Sequence, residues 1–331
     1  LYDKKGYLNM TEIIETGYPF IFIAAARGTG KTYGGLKYFY QKKKKIIHLR
    51  RTQKESDLQN TEAGSSYKSI MNDLGESYTI SSANNVGRVM DQNGNVIAFN
   101  MALNTFASVR GMDFSDIDHI FYDEFIAEPH VRKIKQEGFS LANLYESVNR
   151  NRELSGIKPV QAVLLGNANR LTNPYFSGWG FMKTALKMIN GGQMVWRSGD
   201  GTRIMILLLD SPISRRKAET GLYKNASKDF VTMALDNAFR TDGTNIRSMP
   251  LIEFTHIVSV GEIGIYRHKT ERRYYVSSTQ GDKPYYDSFG IQLKMFQQDF
   301  YMLRIHYMVT KNVLFESFEL EVIFRELFDL R

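Results

Sequence analysis

The sequence contains no cysteine, which excludes disulfide bonds and thiolate metal sites. It also has no apolar run of about 20 residues, because its longest candidates, Pro19–Ala26 and Ile204–Asp210, have only the length of a strand. We therefore expect no membrane span, and no secretory signal is visible. Disorder is not expected either, because 43% of the residues are hydrophobic and 13% are aromatic, enough to fill a buried core.

Acidic residues are the smaller charged group: 35 Asp and Glu stand against 43 Lys and Arg, and the net charge is +8. A positive surplus favours a nucleic-acid partner, although many basic proteins bind none. The length of 331 residues predicts two domains, or one large domain with an appendage. Charge and length thus leave the function open, and the motifs have to decide it.

Buried strands alternate with helices in the first part of the chain. Continuously apolar runs predict strands that are covered on both faces. They are Pro19–Ala26, Lys45–Arg51, Asp118–Phe125 and Pro159–Asn169. Helices are predicted from about Lys31, within Ser56–Gly75 and at Leu141–Leu154, and Asn93-Gly94 predicts a hairpin. This alternation predicts an α/β fold with a mainly parallel sheet.

The texture of the sequence changes after Asp210. Residues 211–244 are polar and predict a short helical linker. Residues 245–331 begin with strand-like runs and end with helical spacing, which predicts a second, smaller α+β domain. The predicted division is therefore a first domain at 1–210, a linker at 211–244 and a second domain at 245–331.

A glycine-bearing turn follows the first predicted strand and precedes the first predicted helix. It ends as the P-loop pattern G-x-x-x-x-G-K-S/T ends, although Ala25 takes the place of the first glycine. Its expected nucleotide-binding residues are Ala26, Arg27, Gly28, Thr29, Gly30, Lys31 and Thr32. We expect Lys31 to bind the β- and γ-phosphates of ATP, and Thr32 to hold Mg²⁺. The alternative is an ordinary strand-to-helix turn with an incidental lysine.

Two acids, Asp123 and Glu124, end the strand predicted at Asp118–Phe125. Carboxylates at the carboxyl ends of parallel strands face the ligand-binding crevice of the sheet. We therefore expect Asp123 to bind Mg²⁺, and Glu124 to polarise the attacking water as a general base. An exposed strand end that happens to carry two acids is the alternative reading.

Further polar residues follow the same logic. Asn167 ends another predicted strand, where its amide can lie near the γ-phosphate and report hydrolysis; a polar strand cap is the alternative. The candidates to stabilise charge on the phosphoryl group are Arg27, Arg110, Arg150 and Arg152. If the protein forms a ring, one of these arginines could reach the nucleotide of a neighbour. Structural ion pairs remain the alternative for each of them.

Four ordered motifs resemble those of the ATPases of viral DNA-packaging motors, the large-terminase group, and above all the small φ29-like phage packaging ATPases. They are Ala26–Thr32, Asp123–Ile126, Arg150–Glu153 and Asn173–Phe176, and Met233–Phe239 extends the match. The resemblance implies an ASCE-type P-loop ATPase that uses ATP and Mg²⁺. It further implies a homo-oligomeric ring, expected to be a pentamer, that moves double-stranded viral DNA into a procapsid through its portal. A structural RNA partner, a host-cytoplasmic location and transient residence at the portal vertex are implied as well.

The resemblance also implies roles for single residues. Arg150 matches the trans-acting arginine finger, with Arg152 as the second candidate. Arg110 matches a basic residue that acts across the subunit interface, and Asn167 falls in the coupling element. The C-terminal domain is expected to be a vestigial nuclease with an RNase H-like fold.

The residues of the C-terminal part fit an inactive nuclease. Two-metal nucleases need several converging carboxylates, but the strand-like segments Ser259–Lys269 and Arg272–Gln280 offer only Glu262 and no aspartate. Arg267–Tyr275 mixes cations with aromatic residues and is a candidate surface for binding phosphates, unless it is an ordinary polar hairpin.

Three functions are weighed from the sequence. The first is an ATP-driven DNA-packaging motor, the second a terminase with an active nuclease, and the third a nucleotide-dependent scaffold with little turnover. The missing acidic cluster argues against the second function. The pair Asp123-Glu124 argues against the third, because switch proteins often place their water with glutamine instead.

Overall fold

A computed structural model of the chain describes residues 1–127, 131, 134, 136–167, 173–208, 211–225, 245–247, 249–282 and 284–330. These residues form two compact units. The first contains the described residues of 1–134, 140–170 and 191–239, and the second those of 135–139, 171–190 and 240–331. The motif Met233–Phe239 and residues 226–244 of the predicted linker lie outside the described residues. The domain boundaries at 210 and 244 stay predictions.

Within the described residues, one sheet of nine strands organises the first unit. The strands are β1 Phe20–Ala25, β2 Ile46–Arg50, β3 Tyr78–Ala83, β4 Val86–Asp91, β5 Val96–Ala102, β6 His119–Asp123, β7 Gln161–Asn167, β8 Val195–Arg197 and β9 Arg203–Leu208. Their order is β3-β4-β5-β2-β6-β7-β1-β9-β8. The six strands from β5 to β9 in this order pair in parallel, whereas β3 and β4 on one side and β8 on the other pair antiparallel with their neighbours. The predicted α/β class with a mainly parallel sheet is therefore confirmed.

The α-helices described up to residue 225 are α1 Met10–Ile14, α2 Lys31–Gln41, α3 Gln53–Gln59, α4 Tyr67–Leu74, α5 Glu137–Asn149, α6 Pro174–Gly178, α7 Met182–Asn190, α8 Pro212–Ala218 and α9 Gly221–Asn225. Two 3-10 helices occupy Leu103–Val109 and Glu153–Ser155. No described helix has both the length and the apolar character needed to cross a bilayer.

Two glycines explain how α2 starts and where it packs. Gly30 precedes the helix with φ +80°, a left-handed conformation that glycine adopts without steric cost. A side chain at Gly35 would collide with the ring of Phe121 on β6. The helix can therefore approach the centre of the sheet closely, and its first residue lies at the carboxyl end of β1.

Two hairpins extend the sheet at the β3 edge. The predicted turn joins β4 to β5: Gly94 has φ +81°, and its N–H donates to the carbonyl of Asp91 at 3.0 Å. This prediction is confirmed. A second hairpin joins β3 to β4 through Asn84 and Asn85, both with positive φ. It was not predicted, although asparagine is one of the residues that accept this backbone conformation.

The helix predicted at Leu141–Leu154 has different ends in the structure. It starts earlier, at Glu137, and stops at Asn149. The Asn149 side chain ends it by accepting a hydrogen bond from the backbone N–H of Val160 and donating one to Glu153, both at 2.9 Å. Apolar spacing alone does not reveal such a side-chain stop.

The second unit contains, among its described residues, a five-stranded sheet. Its strands are β10 Phe254–Val260, β11 Ile263–His268, β12 Tyr274–Ser277, β13 Tyr285–Tyr286 and β14 Val313–Phe315, in the order β13-β10-β11-β12-β14. The three central strands are antiparallel, and the two edge strands pair in parallel. This mixed sheet agrees with the predicted α+β character. An RNase H-like vestigial nuclease stays a prediction.

The second unit ends in helices: the last agrees with the helical spacing predicted there, whereas the two before it fill a stretch that showed no clear pattern in the sequence. They are α10 Gly290–Asp299, α11 Tyr301–Ile305 and α12 Phe318–Leu327, with a 3-10 turn at Leu251–Glu253 and a π-helix at His306–Thr310. Aromatic side chains pack them together: the ring of Phe328 lies 5.0 Å from the rings of Phe296 and Phe324. Two acids here accept hydrogen bonds from tyrosine hydroxyls: Asp299 from Tyr286 at 2.8 Å and Glu321 from Tyr307 at 2.6 Å.

Candidate nucleotide-binding site

The candidate site lies where the parallel strands of the first unit end. Lys31 starts the helix after β1, Asp123 ends β6 and Asn167 ends β7. Strand β7 lies between β1 and β6, and the register pairs Ala25 with Asn167. The structure therefore brings the P-loop, the acids and Asn167 to one edge of one sheet, as the sequence predicted.

The backbone of the P-loop is fixed at both ends. Gly28 and Gly30 have φ values of +76° and +80°, so that the loop can turn its amides inward. The Thr29 hydroxyl donates to the carbonyl of Ala26 at 3.0 Å, and the N–H of Leu8 donates to the carbonyl of Thr29 at 2.9 Å. Ala25 is the last residue of β1 and has no positive φ, which is why the first glycine of the pattern is dispensable here.

Lys31 is folded back onto the loop and is only 8% exposed. Its ammonium group donates to the carbonyls of Ala25 and Ala26 at 3.1 and 2.8 Å, and to the amide oxygen of Asn167 at 3.2 Å. Burial lowers the pKa of Lys31 to about 8, while the charges of Asp123 and Glu124 oppose this shift. A phosphate is a stronger partner for this cation than neutral carbonyls are.

Thr32 and Asp123 form the oxygen pair expected to hold the metal ion. The Thr32 hydroxyl lies 3.0 and 3.1 Å from the two carboxylate oxygens of Asp123, which is 5% exposed. Mg²⁺ prefers oxygen ligands and keeps several waters and substrate phosphates, so that two protein oxygens suffice. The residues fit this metal, although the described residues contain no cluster of three or more His, Asp or Glu placed to bind one.

Arg50 is a charged member of the site that the sequence reasoning missed. It ends β2, and the register that pairs Leu49 with Tyr122 places it beside Asp123. Its guanidinium donates to Asp123 at 2.9 Å and to Glu124 at 2.6 Å. Arg50 is largely buried, whereas the Glu124 side chain is 56% exposed. Glu124 also has φ +59°, a left-handed conformation that costs a non-glycine residue energy and is common at functional sites.

The predicted arginine finger, Arg150, lies near the amino ends of the parallel strands, away from the carboxyl ends where the P-loop and the acids meet. Asn149, its neighbour, bonds to Val160, the residue before the amino end of β7. The six steps along β7 to Asn167 span roughly 20 Å at about 3.3 Å per residue. Arg150 is exposed, has φ +49°, and makes no side-chain hydrogen bond or ion pair within the described part of the chain. It does not meet the P-loop of its own chain.

The other predicted arginines have different surroundings. Arg152 donates to the carbonyl of Ser115 at 2.7 Å and so ties the helix end to the loop before β6. Arg110 follows the 3-10 helix Leu103–Val109 and is exposed. Arg27 is exposed on the P-loop itself. The catalytic roles of these residues stay predictions.

The fourth sequence motif marks the start of a helix. The side-chain oxygen of Asn173 accepts hydrogen bonds from the backbone amides of Tyr175 and Phe176 at 3.2 and 2.9 Å. Both aromatic side chains are buried. In the second unit, therefore, Asn173–Phe176 caps and anchors α6.

The sequence is similar to a known protein family and to individual phage proteins. A family model described as podovirus DNA encapsidation protein (Gp16) matches residues 2–311. The DNA packaging protein of Bacillus phage phi29 is 26% identical over 246 residues, which cover 72% of this chain and 68% of that protein. The DNA packaging protein of Bacillus phage B103 is 26% identical over 229 residues, which cover 67% and 64%.

Two solved structures have a similar fold over almost the whole chain. The Phi-28 gp11 DNA packaging motor covers 98% of both chains with a TM-score of 0.64 and 16% identity. The bacteriophage Phi-29 viral genome packaging motor assembly covers 97% of this chain and 99% of its own, with a TM-score of 0.63 and 17% identity. The predicted resemblance, the P-loop fold and the DNA-packaging ATPase are thus confirmed. The chain belongs to the podovirus DNA encapsidation protein (Gp16) family.

Proposed function

We propose that this packaging ATPase works as a homo-oligomeric ring in which the Arg150 of one subunit completes the nucleotide site of its neighbour. The observation that carries this proposal is the separation of roughly 20 Å between the two edges of the sheet, which an arginine side chain cannot span. Arg150 is nevertheless exposed and available to a second chain. Charge that develops on a transferred phosphoryl group needs such a cation.

Each subunit supplies the binding half of the site. Lys31 exchanges the carbonyls of Ala25 and Ala26 for phosphate oxygens. Thr32 and Asp123 would hold Mg²⁺, which would supply positive charge that stabilises the phosphates. The Glu124 carboxylate accepts the proton of the attacking water, and its exposed position leaves room for that water.

Arg50 links the occupancy of the site to its activity. In the ATP-free protein, the one guanidinium of Arg50 pairs with both carboxylates, those of Asp123 and Glu124. Asp123 would have to leave Arg50 in order to hold a metal ion, and loss of the ion pair would free Glu124 to act as the base. Binding of the substrate therefore prepares the base for the chemical step.

Asn167 senses the same event from β7. Its amide oxygen accepts a hydrogen bond from Lys31 at 3.2 Å. When Lys31 turns to a phosphate, Asn167 loses this partner and has to find another. This exchange gives Asn167 the reporting role that the sequence suggested.

The substrate polymer and the docking partner follow from the family and its relatives. The relatives are a DNA packaging protein, a DNA packaging motor and a genome packaging motor assembly. These names support double-stranded viral DNA and a procapsid portal as partners, and at the finer level we propose a pentameric ring with a structural RNA. The host cytoplasm is the compartment in which it would act. Grip on DNA through backbone phosphates makes translocation depend on salt more than on base sequence.

Mixed rings test the shared site. Glu124→Gln and Arg150→Ala subunits should each be inactive alone, because every site lacks either its base or its finger. A mixture should recover ATPase activity, since an Arg150→Ala subunit keeps its base and receives Arg150 from a Glu124→Gln neighbour. Arg88→Ala, an exposed arginine on β4, is the matched control that should keep full activity. Native mass spectrometry confirms that mixed rings form, and an absence of recovery in such rings would overturn the proposal.

A further inference from the structure

A second lysine contacts the P-loop from a helix far along the chain. Strand β9 pairs with β1 in parallel, with Leu208 beside Ala25, so that β9 ends at the same edge of the sheet as the P-loop. Helix α8 begins four residues later, at Pro212. Its Lys217 donates from the ammonium group to the carbonyl of Arg27 at 2.8 Å and fills the space that a side chain at Gly28 would need.

Two ammonium groups thus share one short loop. Lys31 donates to the carbonyls of Ala25 and Ala26, and Lys217 donates to the next one, that of Arg27. The positive charge of Lys217 also disfavours the protonated form of Lys31 and contributes to its lowered pKa. Like charges placed this close together repel each other, so their juxtaposition favours an anion that pairs with both.

Lys217 has only a weak partner for a cation. In the described part of the chain, its ammonium group has a carbonyl as hydrogen-bond acceptor and no carboxylate. A hydrogen bond to a charged phosphate oxygen is shorter and roughly twice as strong as one to a neutral acceptor. Exchange of the Arg27 carbonyl for a phosphate is therefore favourable for Lys217, as it is for Lys31.

The position of Lys217 is set by packing of α8 against the N-terminal segment. A side chain at Gly6 would lie 3.0 Å from the ring of Pro212, and the Arg216 guanidinium contacts the carbonyl of Lys5 at 3.5 Å. The same segment holds the P-loop through the bond from Leu8 to Thr29. These contacts of α8 therefore fix the position of Lys217 beside the P-loop.

We propose that Lys217 binds the terminal phosphate of ATP within its own subunit, and that this contact ties the position of α8 to the presence of that phosphate. The inference rests on the proposed nucleotide site. Because ADP lacks the terminal phosphate, Lys217 distinguishes substrate from product. The residue thereby passes the state of the nucleotide to the segment that follows β9.

The test compares a non-hydrolysable ATP analogue with ADP. Isothermal titration of Mg²⁺-AMP-PNP into Lys217→Met should show a Kd about 10-fold higher than that of the unaltered protein, whereas the Kd of ADP should stay within about 2-fold. Lys224→Met is the matched control, since Lys224 on α9 is exposed and pairs with Glu219 at 3.3 Å. It should leave both affinities unchanged. Equal losses for both nucleotides, or no loss for AMP-PNP, would overturn the role of Lys217.

A spectroscopic measurement tests the link to α8. Because the chain has no cysteine, Asn225→Cys provides a single labelling site at the end of α9. The emission of a fluorophore there should differ between AMP-PNP and ADP, and Lys217→Met should abolish this difference. An identical response in both backgrounds refutes the link. If Lys31→Ala prevents binding while Lys217→Met changes nothing, only this inference fails; if Lys31→Ala binds normally, the nucleotide site itself is wrong.

Discussion

Two regions of the first unit use charge in opposite ways. One is the nucleotide edge, where the parallel strands end, and the other is the arginine element, residues 149–152. At the nucleotide edge, Lys31, Asp123 and Arg50 are buried or nearly so and bond to one another or to the loop. In the arginine element, Asn149 and Arg152 bond to their surroundings, whereas Arg150 between them is exposed. The comparison teaches that one chain combines a set of interlocked charges at the candidate nucleotide site with an exposed cation far from it, as the proposed shared site requires.

Loss of the P-loop cation breaks the first half of this comparison. Lys31→Ala removes the ammonium group that three acceptors hold at the loop, and we expect ATP affinity to fall by more than about 100-fold. Titration calorimetry measures the change. Glu124→Gln is the matched control, because it should keep binding while turnover drops by about 10² to 10⁴. Normal binding by Lys31→Ala would contradict the assignment of the loop.

Loss of Arg150 tests the second half. Arg150→Ala should lower turnover by about 10³ and leave ATP affinity within about 2-fold, because the side chain is absent from the binding half of the site. Arg152→Ala should instead lower stability by about 0.5 to 1.5 kcal/mol, since it removes the hydrogen bond to the exposed carbonyl of Ser115. Steady-state ATPase rates and thermal unfolding measure the two effects. A reversed pattern would identify Arg152 as the finger.

Removal of Arg50 tests how strongly the charges at the nucleotide edge depend on one another. Arg50→Met leaves the nearly buried Asp123 without its cation, and we expect the ATP-free protein to lose about 3 kcal/mol of unfolding free energy. Mg²⁺-AMP-PNP should restore much of the lost unfolding free energy, because Mg²⁺ would replace Arg50 as the cation beside Asp123.

Urea denaturation without and with the nucleotide measures the loss of unfolding free energy and its restoration. Arg88→Met, at an exposed site on β4, provides the matched control and should change neither. A loss of equal size in both conditions would show that Arg50 does not compete with the metal.

The pH dependence of binding reports the burial of Lys31 and is the smallest expected effect. The pKa of Lys31 is about 8 in the ATP-free protein, and bound phosphate raises it, so that binding takes up a proton above pH 8. ATP affinity should therefore be flat below pH 8 and fall by up to about tenfold per pH unit above it. Calorimetry in buffers of different ionisation enthalpy counts the proton. Lys31→Arg should remove the slope, because arginine stays charged.

Local patterns were enough to predict the binding half of the site. The apolar run before Ala26 and the glycines after it specify a strand and a turn, and a parallel sheet then brings Asp123 to the same edge. Thr32 and Asp123 are 91 positions apart in the sequence, but each was read from its own strand end. The arginines were candidates from the sequence itself, and the family resemblance added expected roles for Arg110, Arg150 and Arg152.

Residues that depend on strand order or on distant packing were not predictable. Arg50 acts because β2 lies beside β6, and no property of its own segment states this neighbour. Lys217 reaches the P-loop only because β9 pairs with β1. The end of α5 at Asn149 depends on a hydrogen bond to Val160, eleven residues later, which apolar periodicity does not contain. Such contacts are specified by the assembled sheet.

In the proposed ring, the distance of Arg150 from the P-loop of its own subunit would determine when ATP is hydrolysed. A solitary protomer would take up nucleotide through its own loop but would lack the cation that speeds cleavage. Idle copies in an infected cell would therefore wait in a loaded, slow state. Hydrolysis would begin only once neighbours close around the portal, which confines energy use to the assembled machine.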